Sequence, residues 1–536
     1  MKNIKFKLLG LSLFGLLFTS CLDELDTKPV TQKTLEQLLA EDPKAIEGLV
    51  SKMYGTFALS GPNGPGSSDI TGPDAGETAF LRGIINLQDF TADGMKNRWG
   101  DDGLDQLTTT KGWTANNKFF RYLYDRVYYT VPQTNNIIKI LNESVDVQNE
   151  VQFVSELRFL RSLAYFYLID CFGKGALATE KDLGSVLALK QATRLELFNY
   201  VETELKDVET KISQTNTYGR ANKSVVRMLL SKLYLNAQVY TGTARYNDAA
   251  IYLNKIISEG GYSLNANFVA NFSSDNNTSS EIIFPLLADP LTGQGYGNTT
   301  YLINGNMNAE TMNTLLYGNS GGSDAAWAGH RATKAWYSLF GNLSTSNDDR
   351  AKLFWTAGHS FEMADYKKWS DGYPVTKFRN TNFSGTNPPL SVFSGTDFPL
   401  YRLSDVYLMY AECALRGASG ASVSQALIYV NKIRERAVIK TPLNPALYLV
   451  NVAASQITAS QLNLNFILDE RARELNLEGH RRTDLIRFGK FSGATYLWPW
   501  KGGDVNGISI SSNYNLFPIP RTALDANINL TQNSGY

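Results

Sequence analysis

The chain has 536 residues, is 43% hydrophobic and sets 51 Lys and Arg against 51 Asp and Glu, the make-up of a water-soluble globular protein with zero formal net charge. With no Lys/Arg-rich run, that balance removes the electrostatic case for nucleic acid or an anionic membrane surface as the ligand and favours neutral ones. Past the first twenty residues no apolar segment approaches the roughly 20 residues that a membrane-crossing helix needs, and no Pro/Gly/Ser linker or charge block divides the remainder, so one large composite unit is expected.

Lys2, Lys5 and Lys7 precede an apolar run over 8–18, then Thr19, Ser20 and Cys21. This is the layout of a signal peptide over 1–20, too short to span a bilayer, ending in small residues before a cysteine that a lipoprotein peptidase would expose for lipidation. The acidic leader Leu22, Asp23, Glu24, Leu25, Asp26 carries no second apolar run, so the lipid on Cys21 is expected to be the only anchor.

Apolar residues then recur with helical period over 34–59, 119–141, 151–172, 195–212, 225–240, 247–257, 403–415, 423–437 and 461–477, which predicts a mainly α protein. The segments 61–112 and 262–400 are instead rich in Gly, Asn, Ser, Thr and aromatic residues, with brief strand-like runs such as 281–287. Segments of that length without helices are usually functional when they are not disordered, and their aromatic content argues against disorder. Cys171 and Cys413 fall within amphipathic patterns and are expected as free buried thiols, with a disulfide in an oxidising compartment as the alternative.

AAIYLNKI at 249–256 returns as ALIYVNKI at 426–433, with six of eight positions identical. Each copy follows a helical segment that ends in a Gly-containing turn, which is the helix, turn, helix unit of tetratricopeptide-like repeats. The tyrosines and leucines of these repeats are expected to pack rather than to touch a ligand.

Chemistry is hard to find. His330, His359 and His480 are the only histidines, none placed for a zinc-protease motif, so no metal site is expected, and no calcium loop or phosphate-binding glycine motif appears. Gly318, Asn319, Ser320, Gly321 and Gly322 fit G-x-S-x-G but follow a polar segment without strand alternation, so a loop is expected rather than a nucleophile elbow. Asp101 and Asp102, or Glu470 and Glu474, are the carboxylate pairs a glycosidase would need, but adjacency does not set the required separation. Glu470, Glu474 and Glu478 fall at four-residue steps with Arg473 and Arg481 nearby, the spacing of ion pairs along a helix face. No catalytic residue and no cofactor are expected.

What resists a purely structural reading is the placement of Trp99, Tyr296 and Trp327. Each lies among Gly, Asn or Asp, where no amphipathic period would carry a large ring into a core. A ring held outside a core offers its face to a ligand, and a pyranose presents a C–H patch for stacking with hydroxyls around it for carboxylates, amides and guanidinium groups.

RFLRSLAYFYLIDCFGKGAL at 158–177, YRLSDVYLMYAECAL at 401–415, NKIRERA at 431–437, LDERARELNLEGHRRTDLIRFGKF at 468–491 and the closing FPIPRTALDANINLTQNSGY resemble the SusD/RagB family of glycan-capture lipoproteins of Bacteroidetes outer membranes. Ser67–Arg82, NAQVYTG at 236–242 and YLWPWKGGDVNGISISSNYNLFPIP at 496–520 are similar to its starch-binding member. The resemblance implies an N-terminal region over 21–215 with a binding loop at 61–112, a tetratricopeptide-like pair at 216–260, and a C-terminal region over 261–536 with a second pair at 403–437. It also implies an aromatic arc of Trp99, Tyr296 and Trp327 with Asp74, Arg82 and Asp102 as hydrogen-bonding groups. Asp102 stands where the starch-binding member has an asparagine, and Asn97 where it has a second tryptophan, which implies a narrower platform. By the same resemblance, the ligand is starch or maltooligosaccharide, the partner a SusC-like TonB-dependent transporter, and the place the cell surface, with the chain held on the outer membrane by the Cys21 lipid. Another glycan, or peptides in the manner of RagB, is the alternative ligand.

Overall fold

The computed structural model describes residue 42 and residues 44–72, 74–143, 148–185, 187–319, 322–383, 392–437 and 455–536. The expected signal peptide over 1–20, Cys21 and the acidic leader lie outside the described residues. Val50–Tyr536 forms one compact unit.

Among the described residues nine helices reach a dozen residues or more: α1 Ala45–Ala58, α2 Lys118–Glu143, α3 Glu150–Cys171, α4 Arg194–Lys211, α5 Lys223–Leu235, α6 Tyr246–Glu259, α7 Leu403–Leu415, α8 Val423–Arg436 and α9 Leu464–Leu475. Every one falls inside or beside a segment with the helical period, and several begin at a residue whose side chain satisfies a free backbone N–H. Thr193 and Glu196 form a reciprocal capping box at the start of α4, while Asn222, Ser422 and Asn463 cap α5, α8 and α9. The segment expected as one helix over 225–240 is broken at Asn236, which leaves the helical region of backbone space and gives way to a short helix, Ala237–Thr241. Among the described residues no helix is long and apolar enough to cross a membrane.

The repeated octapeptide does the same packing job twice. Ala249, Leu253 and Ile256 of α6 are buried, and so are the equivalent Ala426, Val430 and Ile433 of α8. Helix α6 packs on α5 and α8 on α7, and α6 and α7 join the two pairs. Cys171 and Cys413 are buried, unpaired thiols in α3 and α7.

Strands are few and short. β1 (Met95–Asn97) pairs antiparallel with β3 (His330–Ala332), and β2 (Ile282–Leu286), within the strand-like run at 281–287, pairs antiparallel and with a bulge against β4 (Phe398–Arg402). Gly175–Ala176 and Gln191–Ala192 make a third minimal pair.

The carboxylates of α9 are in ion pairs, as their spacing predicts, but mostly with arginines from outside the segment. Glu470 and Glu474 are wholly buried, and of the expected neighbours only Arg473 pairs as the spacing suggests, at 2.7 Å from Glu470. Arg481 instead binds Asp93 at 2.7 Å. Glu474 is gripped by Arg350, Arg402 and Arg436 at 2.6–2.7 Å, Glu470 by Arg350 and Arg434, and Glu478, beyond the helix, by Arg402 and Lys377 at 2.6 Å. Arg402 also reaches Glu281 at 2.9 Å. The four-residue rhythm of glutamates predicts ion pairs but not the arginines from distant segments that make most of them.

Burial alone would raise the carboxyl of Glu474, but the guanidinium groups of Arg436, Arg402 and Arg350 hold it well below the usual carboxylate range; likewise, against burial, Arg471 and Arg487 hold Asp484 down to about 2. Groups with a depressed folded pKa lend stability that is present above their unfolded pKa of roughly 4 and is lost as pH falls through the window below it. The denaturant midpoint is therefore expected to hold from pH 7 to about 5 and then to fall steadily toward pH 2–3. Arg402→Ala, which takes one cationic partner from each of the three buried carboxylates Glu281, Glu474 and Glu478, is expected to cost about 3–5 kcal/mol in urea unfolding; a loss under about 1 kcal/mol would show that the cluster is not held by charge.

Candidate glycan-binding site

The β1–β3 ladder sets Asn97 opposite His330 and Met95 opposite Ala332. Trp99 leaves one end of that ladder as Trp327 approaches it, and Arg98 extends the pairing by donating its N–H to the Gly329 carbonyl at 3.0 Å. The two tryptophans, 228 positions apart, then meet: the Trp99 indole N–H donates to the Trp327 carbonyl at 3.0 Å, and their ring centres lie 6.3 Å apart at an interplanar angle of 57°. Gly329 has to be glycine here, because a Cβ would sit 2.3 Å from the Trp99 ring.

The Trp327 segment is fastened to the end of the short helix Thr299–Gly305. Trp327, Ala328 and Gly329 donate their N–H groups to the carbonyls of Asn304, Met307 and Gly305 at 2.7–2.8 Å, which holds Ala328 in the left-handed region at φ 48°. The Trp327 indole N–H is taken up by the Asp324 carbonyl at 2.8 Å. Tyr296 arrives from the loop before the same helix, which Asn298 caps. Its ring lies 6.3 Å from Trp327 at 48° and 5.1 Å from Phe393, and it is 38% exposed. Gly76 passes so close beneath it that a Cβ there would fall 2.7 Å from the Tyr296 Cβ.

The polar side comes from 74–82. Asp74 caps the turn Ala75–Thr78 by accepting from the Gly76 N–H at 2.8 Å, yet its side chain stays 54% exposed. Arg82, on the short helix Phe80–Ile85, is only 7% exposed. Its guanidinium lies 4.6 Å from the Tyr301 ring and 5.8 Å from Trp99, and it approaches Glu77 at 3.6 Å and Asp74 at 3.9 Å, both too long for hydrogen bonds. Its Nε has no protein acceptor.

Asp74, Arg82, Trp99, Gly100, Asp101, Tyr296 and Trp327 together line an open groove of about 750 Å³. Of the six expected binding residues, five line it. Asp102 is exposed and does not; its neighbour Asp101 does. The chain turns at this point, with the Leu104 N–H returning to the Asp101 carbonyl at 3.0 Å, so the side chains of 101 and 102 part company in a way that sequence position does not reveal. Asn97 is wholly buried and no part of the platform; its side chain accepts the Trp99 N–H at 3.0 Å and donates to the Tyr301 hydroxyl at 3.3 Å.

His330, which in the sequence marked only the lack of a metal motif, lies under the platform. Its ring centre is 5.1 Å from Trp99, 4.8 Å from Phe90 and 4.6 Å from Tyr301, it is fully buried, and neither ring nitrogen has a protein partner. Burial first, and then the charges of Arg82 and Arg331, push its pKa well below the ordinary histidine value. It therefore serves as a neutral aromatic spacer. The signal available in the sequence was its place three residues past Trp327, within one strand's reach of that ring.

Among the described residues no three His, Cys, Asp or Glu side chains come together as a metal site. Gly318 and Asn319 of the G-x-S-x-G match follow a 3₁₀ turn, Thr314–Tyr317, rather than a strand, and Ser320 lies outside the described residues.

A profile described as "SusD family" matches residues 363–536, and one described as "Starch-binding associating with outer membrane" matches 85–235. The starch-binding protein SusD of Bacteroides thetaiotaomicron is 30% identical over 97% of this chain and 96% of its own length. The chain belongs to the SusD family. Solved members share its fold: a SusD superfamily protein from Parabacteroides distasonis aligns over 94% of this chain and all of its own with a TM-score of 0.70 at 20% identity. The surface glycan-binding protein A of Bacteroides thetaiotaomicron, solved in complex with laminarihexaose, aligns over 91% of this chain and 99% of its own at 0.66 and 21% identity. The mainly α architecture expected from the helical period, and its SusD-like form implied by the resemblance, are the observed ones.

Two outcomes check this geometry. His330 is expected to stay neutral from pH 8 to pH 5, so its ring carbon proton shifts should not titrate; a transition near pH 6–7 would mean the site is open to water. Gly329→Ala is expected to displace the Trp99 ring and change the near-ultraviolet circular dichroism of the tryptophans, while Gly100→Ala, where a Cβ meets nothing within 4 Å, should leave it unchanged.

Proposed function

We propose that this chain is a non-catalytic surface lipoprotein that captures starch or maltooligosaccharides and passes them to a SusC-like TonB-dependent transporter. The observation that carries the reading is the arc itself: three rings in sequence, Trp99, Trp327 and Tyr296, each tilted by about 50° from the next, form a curved rather than flat surface. A coiled α-1,4-glucan offers a matching succession of C–H faces. Asp74, Asp101 and the under-bonded Arg82 stand beside the rings as acceptors and donors for sugar hydroxyls. The starch-binding description of the 30%-identical relative and of the 85–235 profile supports the same ligand.

Capture by such a groove forms and breaks no covalent bond. The outer-membrane description of the profile is consistent with a lipid on Cys21 as the tether that keeps the groove beside its transporter. Substitution of Cys21 by alanine is then expected to abolish surface display and slow growth on starch without altering glucan binding by the soluble protein.

A second reading, a β-glucan ligand, is favoured by one observation: solved proteins of this fold include a complex with laminarihexaose and a laminarin-binding SusD-like protein. A peptide ligand would call for a longer groove with groups that read a backbone rather than a ring arc. Titration calorimetry of the soluble protein against maltoheptaose, laminarihexaose and a mixed peptide pool separates the three. Maltoheptaose is expected to bind most tightly, and Trp99→Ala or Trp327→Ala to weaken it about tenfold or more, roughly 1.4 kcal/mol. Tighter binding of laminarihexaose or peptide would replace this ligand, and release of reducing sugar would replace the mechanism.

A further inference from the structure

We infer that a second pocket, lined by Thr71 where the aromatic groove is lined by Asp74, is an additional subsite for the same glucan chain; this rests on the ligand class proposed above. The pocket has a volume of about 520 Å³ and is built from the N-terminal half of α2, residue Ala176, and the C-terminal segment that begins with the short helix Arg521–Ala526.

Its chemistry resembles that of the groove in kind. Tyr128 forms its aromatic wall, backed by the buried Tyr124, with ring centres 4.7 Å apart and planes 37° from each other. The Tyr128 hydroxyl is fixed by donation to the Ala176 carbonyl at 3.0 Å, which orients the ring. Arg121 and Asp125 supply a guanidinium and a carboxylate at the rim, 3.5 Å apart and each partly exposed. Ala523, Ala526 and Leu530 complete an apolar floor of the kind that takes the C–H face of a pyranose, and a charged pair at the edge of such a floor suits its hydroxyls.

Continuity with the groove is the second line of support. Asp74 lines the groove and Thr71 lines the pocket, so no more than about 11 Å of chain separates them. Polar side chains bridge that interval. Arg82 approaches Glu77 at 3.6 Å, Glu77 accepts from Lys118 at 2.9 Å and from Tyr122 at 3.3 Å, and one turn along α2 Arg121 donates to the Thr71 carbonyl at 3.1 Å. Glu77 and Tyr122 are buried beneath this interval, so the groups that a chain longer than the ring arc meets between the cavities are the partly exposed Lys118 and Arg121, and holding both cavities at once raises its affinity through effective concentration rather than through any single strong contact.

The test compares a short and a long probe, maltotriose and soluble amylose, by titration calorimetry on the soluble protein. The double variant Arg121→Ala/Asp125→Ala, which removes both ends of a partly exposed ion pair, is expected to weaken amylose binding about fivefold to tenfold while leaving maltotriose binding and the thermal midpoint as in the wild type. Ala526→Leu, which fills the pocket from its exposed wall, is expected to give the same loss without touching the ion pair. Unchanged amylose affinity in both variants overturns the subsite, as does an equal loss for maltotriose, which would place the effect in the groove. If the wild type binds neither probe, the glucan reading itself is what has failed.

Discussion

Three residue pairs of antiparallel backbone decide whether this protein has a site at all. The β1–β3 ladder joins residues 95–97 to 330–332, and through it two loop-rich segments that lie more than two hundred residues apart place Trp99 and Trp327 side by side. So short a ladder would not persist alone. It persists because its flanks are tied to the helical frame: Asp93, just before β1, is gripped by Arg481 at 2.7 Å, the Thr333 N–H after β3 donates to the Gly94 carbonyl, and the buried Lys96 donates to the Ala92 carbonyl at 2.8 Å. The C-terminal helix that carries Arg481 thus acts as an anchor against which the ladder is braced.

The groove is stiff for a related reason. Each ring in it has a reason not to move: Trp99 is bonded through its indole nitrogen and backed by His330 and Tyr301, Trp327 is bonded through its own indole nitrogen, and Tyr296 is wedged between Gly76 and Phe393. A binding surface that is already ordered loses little side-chain freedom when a ligand lands, and for a weakly held neutral sugar that saving is a large part of the affinity. The choice of a neutral histidine at the centre of the stack fits the same logic, since a charged imidazolium next to Arg82 would push the column apart.

Much of this was legible in the amino-acid order, and what was not legible has a common cause. Helices α2 to α9 follow from a 3.6-residue period and from caps such as Thr193 and Asn463, which are local properties of the chain. The three arc rings stood out because glycine and asparagine neighbours gave them no amphipathic face to bury. The glutamate spacing around Glu474 predicts ion pairs but not their partners, because Arg350, Arg402 and Arg436 meet it only in space. That Asp101 and not Asp102 lines the groove has a similarly non-local reason: which of two adjacent carboxylates faces it is set by a turn whose geometry depends on the ladder before it. Local signals fixed the frame and the rings, and long-range contacts fixed the carboxylates.

The most direct test is a crystal structure of the soluble protein soaked with maltoheptaose. Glucan density is expected to follow the curve from Trp99 across Trp327 to Tyr296, with a hydroxyl in reach of the Arg82 guanidinium and the ring positions within about 1 Å of those described. An empty groove with the sugar ordered elsewhere on the molecule, or rings that must swing aside to admit it, would contradict the view that a preformed aromatic arc is what this fold was assembled to hold.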